Sequence, residues 1–200
     1  ELVTALRASG HDIRHVDVGG GLGIPYHPDE AVPPAPTAYA EVVKREVSRL
    51  DCSLVLEPGR LIAGNAGILV TSVEYVKEGD KTFVIVDAAM NDLIRPTLYE
   101  AYHEIQPVVR SNLPHIAADI VGPVCETGDY LARNRRIEGV KEGDLLAVMS
   151  AGAYGAVMAS TYNSRPLVPE VLVDGDRWHV IRPRQSIAQL IALDSVPDWL

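Results

Sequence analysis

The fold is indicated first by residues 15–23, HVDVGGGLG, in which a short apolar stretch runs directly into three consecutive glycines. Glycine lets the backbone approach an anion closely, so such a loop after a strand can bind a phosphate group. A helix with Thr37 as its N-cap and a strand over residues 53–56 are predicted next. This order is typical of parallel βα units, whose chemistry lies at the carboxyl ends of the strands. Alone, the glycine loop is equally compatible with a tight turn.

The second strand ends in EPGR at residues 57–60. This tetrad adds a carboxylate, a glycine amide and a guanidinium to the edge that carries the glycine loop, because parallel strands end at the same edge. An anionic cofactor with one basic nitrogen would suit these groups.

The pattern changes to β from about residue 68. Residues 68–77 and 82–86 are predicted to form a hairpin, and a second hairpin is predicted over 171–173 and 178–181. Further strands are predicted at 119–124 and 145–149, and a last helix at 186–193 opens with the capping-box spacing Ser-x-x-Gln. We therefore expect an α/β part over residues 1–67 and a mainly antiparallel β domain over 68–200.

Composition excludes several classes of function. The 200 residues carry a net charge of −9, and the one basic cluster, formed by Arg133, Arg135 and Arg136, is predicted to be a solvated turn, which argues against nucleic-acid binding. No apolar run is long enough to span a membrane. Cys52 and Cys125 are the two cysteines, and neither they nor the six histidines have metal-ligand spacing. These features predict a cytoplasmic protein with reduced thiols that binds no nucleic acid, membrane or metal.

Four motifs occur together in one order: GGG at 19–21, EPGR at 57–60, GPVCETGD at 122–129 and GAYG at 152–155. This set resembles the pyridoxal-phosphate (PLP) dependent decarboxylases of the alanine-racemase fold. RPTLY at 95–99 and YNSRP at 162–166 are similar to the branch that acts on diaminopimelate rather than ornithine. The resemblance covers essentially the whole chain. It implies decarboxylation of meso-diaminopimelate to L-lysine.

The resemblance also implies an architecture. Residues 1–67 would be the last βα units of a PLP-binding (β/α)8 barrel, and residues 68–200 a C-terminal β domain whose terminal helix packs back on the barrel. The chain opens without methionine and inside a helical pattern, so we expect it to begin within a longer gene product.

Candidate cofactor contacts follow from the motifs. The phosphate is expected at Gly19, Gly20, Gly21, Gly59 and Arg60. Glu57 is assigned to the pyridine nitrogen, because a carboxylate there favours the protonated ring. Tyr154 resembles the tyrosine that reaches both cofactor and substrate, although a core aromatic residue would fit the same glycine-rich segment.

Candidate substrate contacts come from the same comparison. Arg95 and Tyr99 are four residues apart, so on a helical turn they could share one face and both donate to one carboxylate. Without the motif, a solvated ion pair would be the default interpretation of Arg95. Glu126 suits the distal amine of the substrate, and the resemblance adds Arg60 and Tyr154 to the substrate contacts.

Cys125 is the candidate catalytic residue, as the proton donor to the carbanion formed when CO₂ leaves. The resemblance implies that Cys125 and Glu126 reach across a homodimer interface into the neighbouring active site. Thr127 departs from the serine that the family commonly has, and keeps the hydroxyl group.

None of the four lysines is predicted to hold PLP covalently. Lys44 falls in the exposed register of a helix, and Lys77, Lys81 and Lys141 flank turns. This chain alone is therefore expected to be inactive. Two alternatives stay open: a decarboxylase of a related basic amino acid or polyamine precursor, and a non-catalytic dimerisation or binding module.

Overall fold

The computed structural model describes all residues from Glu1 to Leu200. The α-helices are α1 (Leu2–Ala8), α2 (Pro36–Val47), α3 (Gly59–Ala63), α4 (Arg95–Tyr99) and α5 (Ile187–Ile191). The strands are β1 (His15–Asp17), β2 (Ser53–Val55), β3 (Leu69–Lys77), β4 (Thr82–Val86), β5 (Ile105–Pro107), β6 (His115–Val121), β7 (Tyr130–Glu138), β8 (Leu145–Val148), β9 (Glu170–Asp174) and β10 (Arg177–Arg182). Short 3₁₀ turns cover Ser48–Leu50, Gly64–Ala66, Ala156–Met158 and Tyr162–Ser164.

The first part of the chain is a parallel βαβ unit. β1 pairs in parallel with β2, with Val16 opposite Leu54, and α2 connects them. Val43 and Val47 are buried on one side of α2, whereas Lys44 is exposed as predicted. The predicted N-cap at Thr37 is wrong, because α2 begins at Pro36 and Ala35 is its N-cap. Proline suits the first helical position, since its fixed φ matches the helix and its missing N–H would have no partner there.

A six-stranded sheet forms the rest of the core, in the order β5-β8-β3-β4-β6-β7. Only the β4–β6 pair is parallel, so the prediction of a mostly antiparallel sheet is confirmed. The buried side chains alternate along the strands and meet in one cluster, which includes Val84, Ile120, Leu131 and Leu146. The β3–β4 hairpin and strand β8 lie where the sequence predicted them, and β6 begins four residues earlier.

Strand β7 was not predicted, and the solvated turn expected at its arginines is wrong. Arg133 and Arg135 lie within this strand, and each guanidinium stacks 3.8 Å from an aromatic ring centroid, of Tyr130 and Tyr102 respectively. Burial also lowers the pKa of Arg135. The strand is difficult to predict because its arginines interrupt the alternation of apolar and polar residues that is typical of a strand. Their long side chains can nevertheless pack on aromatic rings within the sheet.

Residues 170–191 form an arm with the predicted structure. β9 and β10 pair as an antiparallel hairpin, and α5 begins at Ser186 with a complete capping box to Gln189. Every residue of β10 is exposed, and α5 buries none of its side chains within this chain. Packing of the terminal helix on a barrel therefore stays a prediction.

Candidate active site

The glycine loop and the EPGR tetrad lie against each other. The N–H of Glu57 donates to Gly19 O at 2.8 Å, and a side chain on Gly20 would collide with the carbonyl oxygen of Glu57. Gly19 and Gly21 have φ of 69° and 83°, which favours glycine. The carboxyl ends of β1 and β2 thus bring the two predicted cofactor motifs to one edge, since the strands are parallel.

The backbone amides of this edge divide into two sets. Gly19 N–H donates to the Asp17 carboxylate at 2.7 Å, and Gly59 N–H donates to Glu57 O at 2.8 Å. The N–H groups of Gly20 and Gly21 donate to no acceptor within the chain. Gly20 and Gly21 are therefore the amides available to an external anion, whereas Gly19 contributes mainly by shaping the loop.

Tyr154 stands between two guanidinium groups from distant parts of the chain. Its ring centroid is 5.7 Å from the Arg60 guanidinium carbon and 5.8 Å from that of Arg95. Tyr154 has φ of 61°, a conformation that non-glycine residues rarely adopt. The loop is fixed by Gly152, whose N–H donates to Gly64 O at 3.0 Å and where a Cβ would strike the Ala63 carbonyl. The structure thus brings together three predicted site residues from α3, α4 and the loop after β8.

Arg95 is 7% exposed although it carries a charge. Its Nη1 donates to Tyr26 Oη at 3.0 Å and contacts His103 Nε2 at 3.1 Å. Arg95 takes part in none of the ion pairs of the chain. The solvated ion pair considered for Arg95 is therefore wrong, because this guanidinium is buried among aromatic rings and has no acidic partner.

Tyr99 lies at the other end of α4 and is 62% exposed. The predicted helical turn over residues 95–99 is confirmed. The Tyr99 hydroxyl makes no hydrogen bond to Arg95 or to another residue of the chain, so a joint contact with one carboxylate stays a prediction.

The loop of residues 122–129 carries Cys125 and Glu126 on an exposed surface. Its conformation depends on Asp129, which is 5% exposed. The Asp129 carboxylate accepts from Val124 N at 2.6 Å and from Met90 N at 2.7 Å. A buried carboxylate therefore anchors the segment next to the predicted proton donor.

Glu126 and the end of the same loop are tied to neighbouring segments. Tyr162 Oη donates to Glu126 Oε2 at 3.4 Å, and Thr97 Oγ1 donates to Gly128 O. Thr97 lies on α4, so the loop and the helix that carries Arg95 are joined directly. The Cys125 thiol is free and exposed, and it makes no hydrogen bond within this chain.

Replacing Asp129 with alanine is expected to destabilise the complete protein. The change leaves two backbone amides without an acceptor, and a buried donor of this kind costs about 1–3 kcal/mol. Denaturant unfolding measures the loss, with Asp80→Ala in an exposed turn as the matched control. Equal unfolding midpoints for Asp129→Ala and the wild type would contradict this role.

Sequence reasoning missed three residues of the site: Tyr26, His103 and Asp129. Tyr26 lies far from Arg95 along the chain, His103 is eight residues from Arg95 without a helical spacing between them, and only the motif GPVCETGD hinted at Asp129. His103 is fully buried, and burial together with Arg95 and Arg135 lowers its pKa. The number and spacing of the histidines in the sequence do not indicate that His103 is buried beside two arginines.

A pocket of about 470 Å³ lies elsewhere, at the amino-terminal end of β2. Lys44, Asp51 and Cys52 line it, and none of the predicted site residues does. Because the glycine loop follows the opposite end of β1 and β2, this pocket is separate from the site described above.

Residues 12–152 match the family model described as "Pyridoxal-dependent decarboxylase, C-terminal sheet domain". The match covers the βαβ unit, the six-stranded sheet and every predicted site residue except Tyr154. The chain belongs to this family of pyridoxal-dependent decarboxylases.

Several proteins similar to this chain are diaminopimelate decarboxylases. The chain is 54% identical to the diaminopimelate decarboxylase of Zymomonas mobilis over all of its own length and 48% of that protein. Two crystal structures of diaminopimelate decarboxylases bound to L-lysine are also similar. The Helicobacter pylori enzyme is 40% identical with a TM-score of 0.89, and the M. jannaschii enzyme is 38% identical with a TM-score of 0.93. They match 96% and 100% of this chain, which covers 47% of each.

The chain thus spans about half the length of the relatives it matches. None of its helices has the length and apolar character needed to cross a membrane.

Proposed function

We propose that the complete protein carrying this chain decarboxylates meso-diaminopimelate to L-lysine with PLP as cofactor. In this proposal residues 1–67 are the last βα units of a (β/α)8 barrel, and residues 68–200 are the C-terminal β domain. The parallel β1-α2-β2 unit supports the first part, and the level of identity to diaminopimelate decarboxylases supports the reaction.

The observation that carries the proposal is the buried Arg95 guanidinium without an acidic partner. A buried charge is costly unless it is paired, so an anionic ligand is the expected partner. Only Nη1 of Arg95 has hydrogen-bond partners within the chain. Its other N–H groups are not fully buried, because no nitrogen of Arg95 is among the fully buried side-chain atoms that lack a hydrogen bond. A substrate with a carboxylate away from the reacting carbon fits this arrangement, which separates diaminopimelate from ornithine.

The residues around the glycine loop fit PLP. Gly20 and Gly21 offer free amides, Arg60 adds a positive charge, and Gly19 and Gly59 shape the loops around the phosphate. Glu57 is assigned to the pyridine nitrogen and Tyr154 to cofactor and substrate. When bound, PLP supplies an electron sink for the bond that breaks.

The substrate contacts are proposed as Arg60, Arg95, Tyr99, Glu126 and Tyr154. Arg95 holds the distal carboxylate, and Glu126 accepts the distal amine. Tyr162 donates to Glu126 and so orients its carboxylate. These residues would make the non-reacting end of diaminopimelate the part that is recognised.

The complete protein is proposed to work as a homodimer with shared active sites. Cys125 is exposed and its thiol makes no hydrogen bond in its own chain, which is consistent with a role in the neighbouring site. After CO₂ leaves, the Cys125 thiol would supply the proton that takes the place of the lost carboxylate on the same carbon.

Mixed dimers test the shared site. Cys125→Ala and Glu57→Ala subunits are each expected to be nearly inactive. When mixed, they should regain about a quarter of wild-type activity, because random pairing restores one site in half of the dimers. Exchange of subunits is verified by tags of different mass. No recovery after verified exchange would mean that Cys125 acts within its own subunit or not at all.

The reaction itself is tested with the complete protein. Release of CO₂ is measured with meso-diaminopimelate, ornithine, arginine and carboxynorspermidine at equal concentrations. We expect turnover of meso-diaminopimelate with L-lysine as product, and little turnover of the others because they lack the distal carboxylate and amine together. Preference for another of these substrates would assign the protein to a related decarboxylase, and absence of activity on all of them would support a binding module.

A further inference from the structure

His103 is a fully buried residue that has no part in the proposed reaction so far. Its two ring nitrogens face different partners. Nδ1 lies 2.9 Å from the carbonyl oxygen of Met149, and Nε2 lies 3.1 Å from Nη1 of Arg95.

These partners decide the protonation of the ring. A carbonyl oxygen can only accept, so Nδ1 carries the hydrogen and donates it. An arginine can only donate, so Nε2 must present its lone pair. The ring is therefore neutral, and the lowered pKa of His103 is consistent with this state.

The contact with His103 also orients the guanidinium of Arg95. Nη1 has two N–H groups and two acceptors, Tyr26 Oη and His103 Nε2. Nε and Nη2 then remain on the other side of the planar group, with no acceptor from the chain. A side-on pair of donors of this kind matches the two oxygens of a carboxylate.

His103 itself is held from two strands. Arg135 on β7 donates to His103 O at 2.7 Å and stacks on the neighbouring Tyr102 ring. Met149, which follows β8, donates its N–H to Glu104 O at 2.8 Å. The backbone that carries the imidazole is therefore fixed by hydrogen bonds, so the ring can hold the Arg95 guanidinium in one orientation.

We propose that His103 is a positioning residue that holds the Arg95 guanidinium ready for the distal carboxylate of the substrate. This inference rests on the proposed function. His103 does not touch the substrate; it fixes one side of the arginine and leaves the other side free.

L-Lysine is a suitable probe, because removal of CO₂ from one end of meso-diaminopimelate leaves the other carboxylate and amine in place. Binding of L-lysine to the complete, PLP-loaded protein is measured by calorimetry for the wild type, His103→Leu and His103→Gln. We expect about 3- to 10-fold weaker binding for His103→Leu, the size of one ordinary hydrogen bond, because His103 acts on the ligand only through Arg95. His103→Gln should recover most of the affinity, because its amide can donate to Met149 O and accept from Arg95. His179→Leu, on the exposed strand β10, is the matched control.

The wild type provides a second readout through pH. The charged or titratable groups that face His103 are Arg95, Tyr26 and Arg135. Burial and the neighbouring Arg95 and Arg135 lower the pKa of His103, so the imidazole gains a proton only below its ordinary pKa of about 6.5. Protonation would turn Nε2 into a donor against Arg95, so lysine affinity should fall at acidic pH in the wild type and less in His103→Gln.

The outcomes separate the two proposals. If the complete wild-type protein neither binds L-lysine nor decarboxylates meso-diaminopimelate, the proposed function fails. If it does both and His103→Leu binds lysine as tightly as the wild type, only the role of His103 is overturned. Equal loss of lysine and PLP affinity in both variants would also overturn it, since His103 would then serve the fold alone. If His103→Leu does not fold, the role of His103 is tested with His103→Gln and the wild type. Lysine affinity that falls at acidic pH equally in both proteins would overturn it.

Discussion

Replacing Arg95 with alanine is expected to reduce kcat/KM for meso-diaminopimelate by about 10- to 150-fold in the complete protein. A hydrogen bond to a charged group is worth about 1.5–3 kcal/mol, which corresponds to this range of rates. The affinity for PLP should change little, because the proposed cofactor contacts lie at the glycine loop and the EPGR tetrad. Steady-state kinetics and PLP titration measure the two effects separately.

Two further variants make the Arg95 experiment specific. Arg95→Lys keeps the charge and loses the planar fork, so it should recover only part of the activity. Arg49→Ala removes an exposed arginine on the 3₁₀ turn after α2 and should behave as the wild type. Unchanged kinetics for Arg95→Ala would remove Arg95 from the substrate site and with it the main support for a distal carboxylate.

The 200-residue chain alone is expected to form no stoichiometric pyridoxyl-lysine after incubation with PLP and reduction with borohydride. A lysine that holds the cofactor must reach the carboxyl ends of β1 and β2. Lys44 lines the pocket at the opposite end of β2, and Lys77 ends β3 beside the turn that precedes β4. Lys81 lies at the end of the same turn and pairs with Asp119 at 3.5 Å, and Lys141 is exposed. PLP held only by the phosphate contacts should be lost on dialysis.

Mass spectrometry of the reduced protein gives the result directly. The complete protein, treated identically, is the positive control for the reduction and should gain one pyridoxyl group. A stoichiometric adduct at one of the four lysines of the short chain, together with turnover, would contradict the proposed division of the site.

Local sequence features predicted much of the fold. The three glycines after a strand and the EPGR tetrad predicted a shared edge, which the parallel pairing of β1 and β2 confirms. Turn residues and alternating apolar residues predicted both hairpins, and Ser186 with Gln189 predicted the capping box. Turns, helix caps and strand alternation are each formed by residues that are close together in the sequence, so a short stretch of sequence is enough to predict them.

The ordered motifs were sufficient to predict the family, and they supplied candidate contacts such as Arg95 and Tyr154, which stay predictions. They were not sufficient for the local electrostatics. The sequence interpretation left Arg95 between a ligand contact and a solvated ion pair, and placed Arg135 in a turn. The environment of each arginine depends on residues that fold against its side chain. These are Tyr26 and His103 for Arg95, and the Tyr102 ring for Arg135.

The sequence by itself therefore determined the family, the parallel unit, the hairpins and the set of residue types available for an anionic cofactor and substrate. Only the tertiary structure decided which of those groups remain free to bind. Gly20 and Gly21 keep unused amides whereas Gly19 donates to Asp17, and Arg95 keeps one side of its guanidinium open because Tyr26 and His103 occupy the other. The physical reason is that the free energy of a polar group depends on its partners and its burial, which segments far apart in the chain supply.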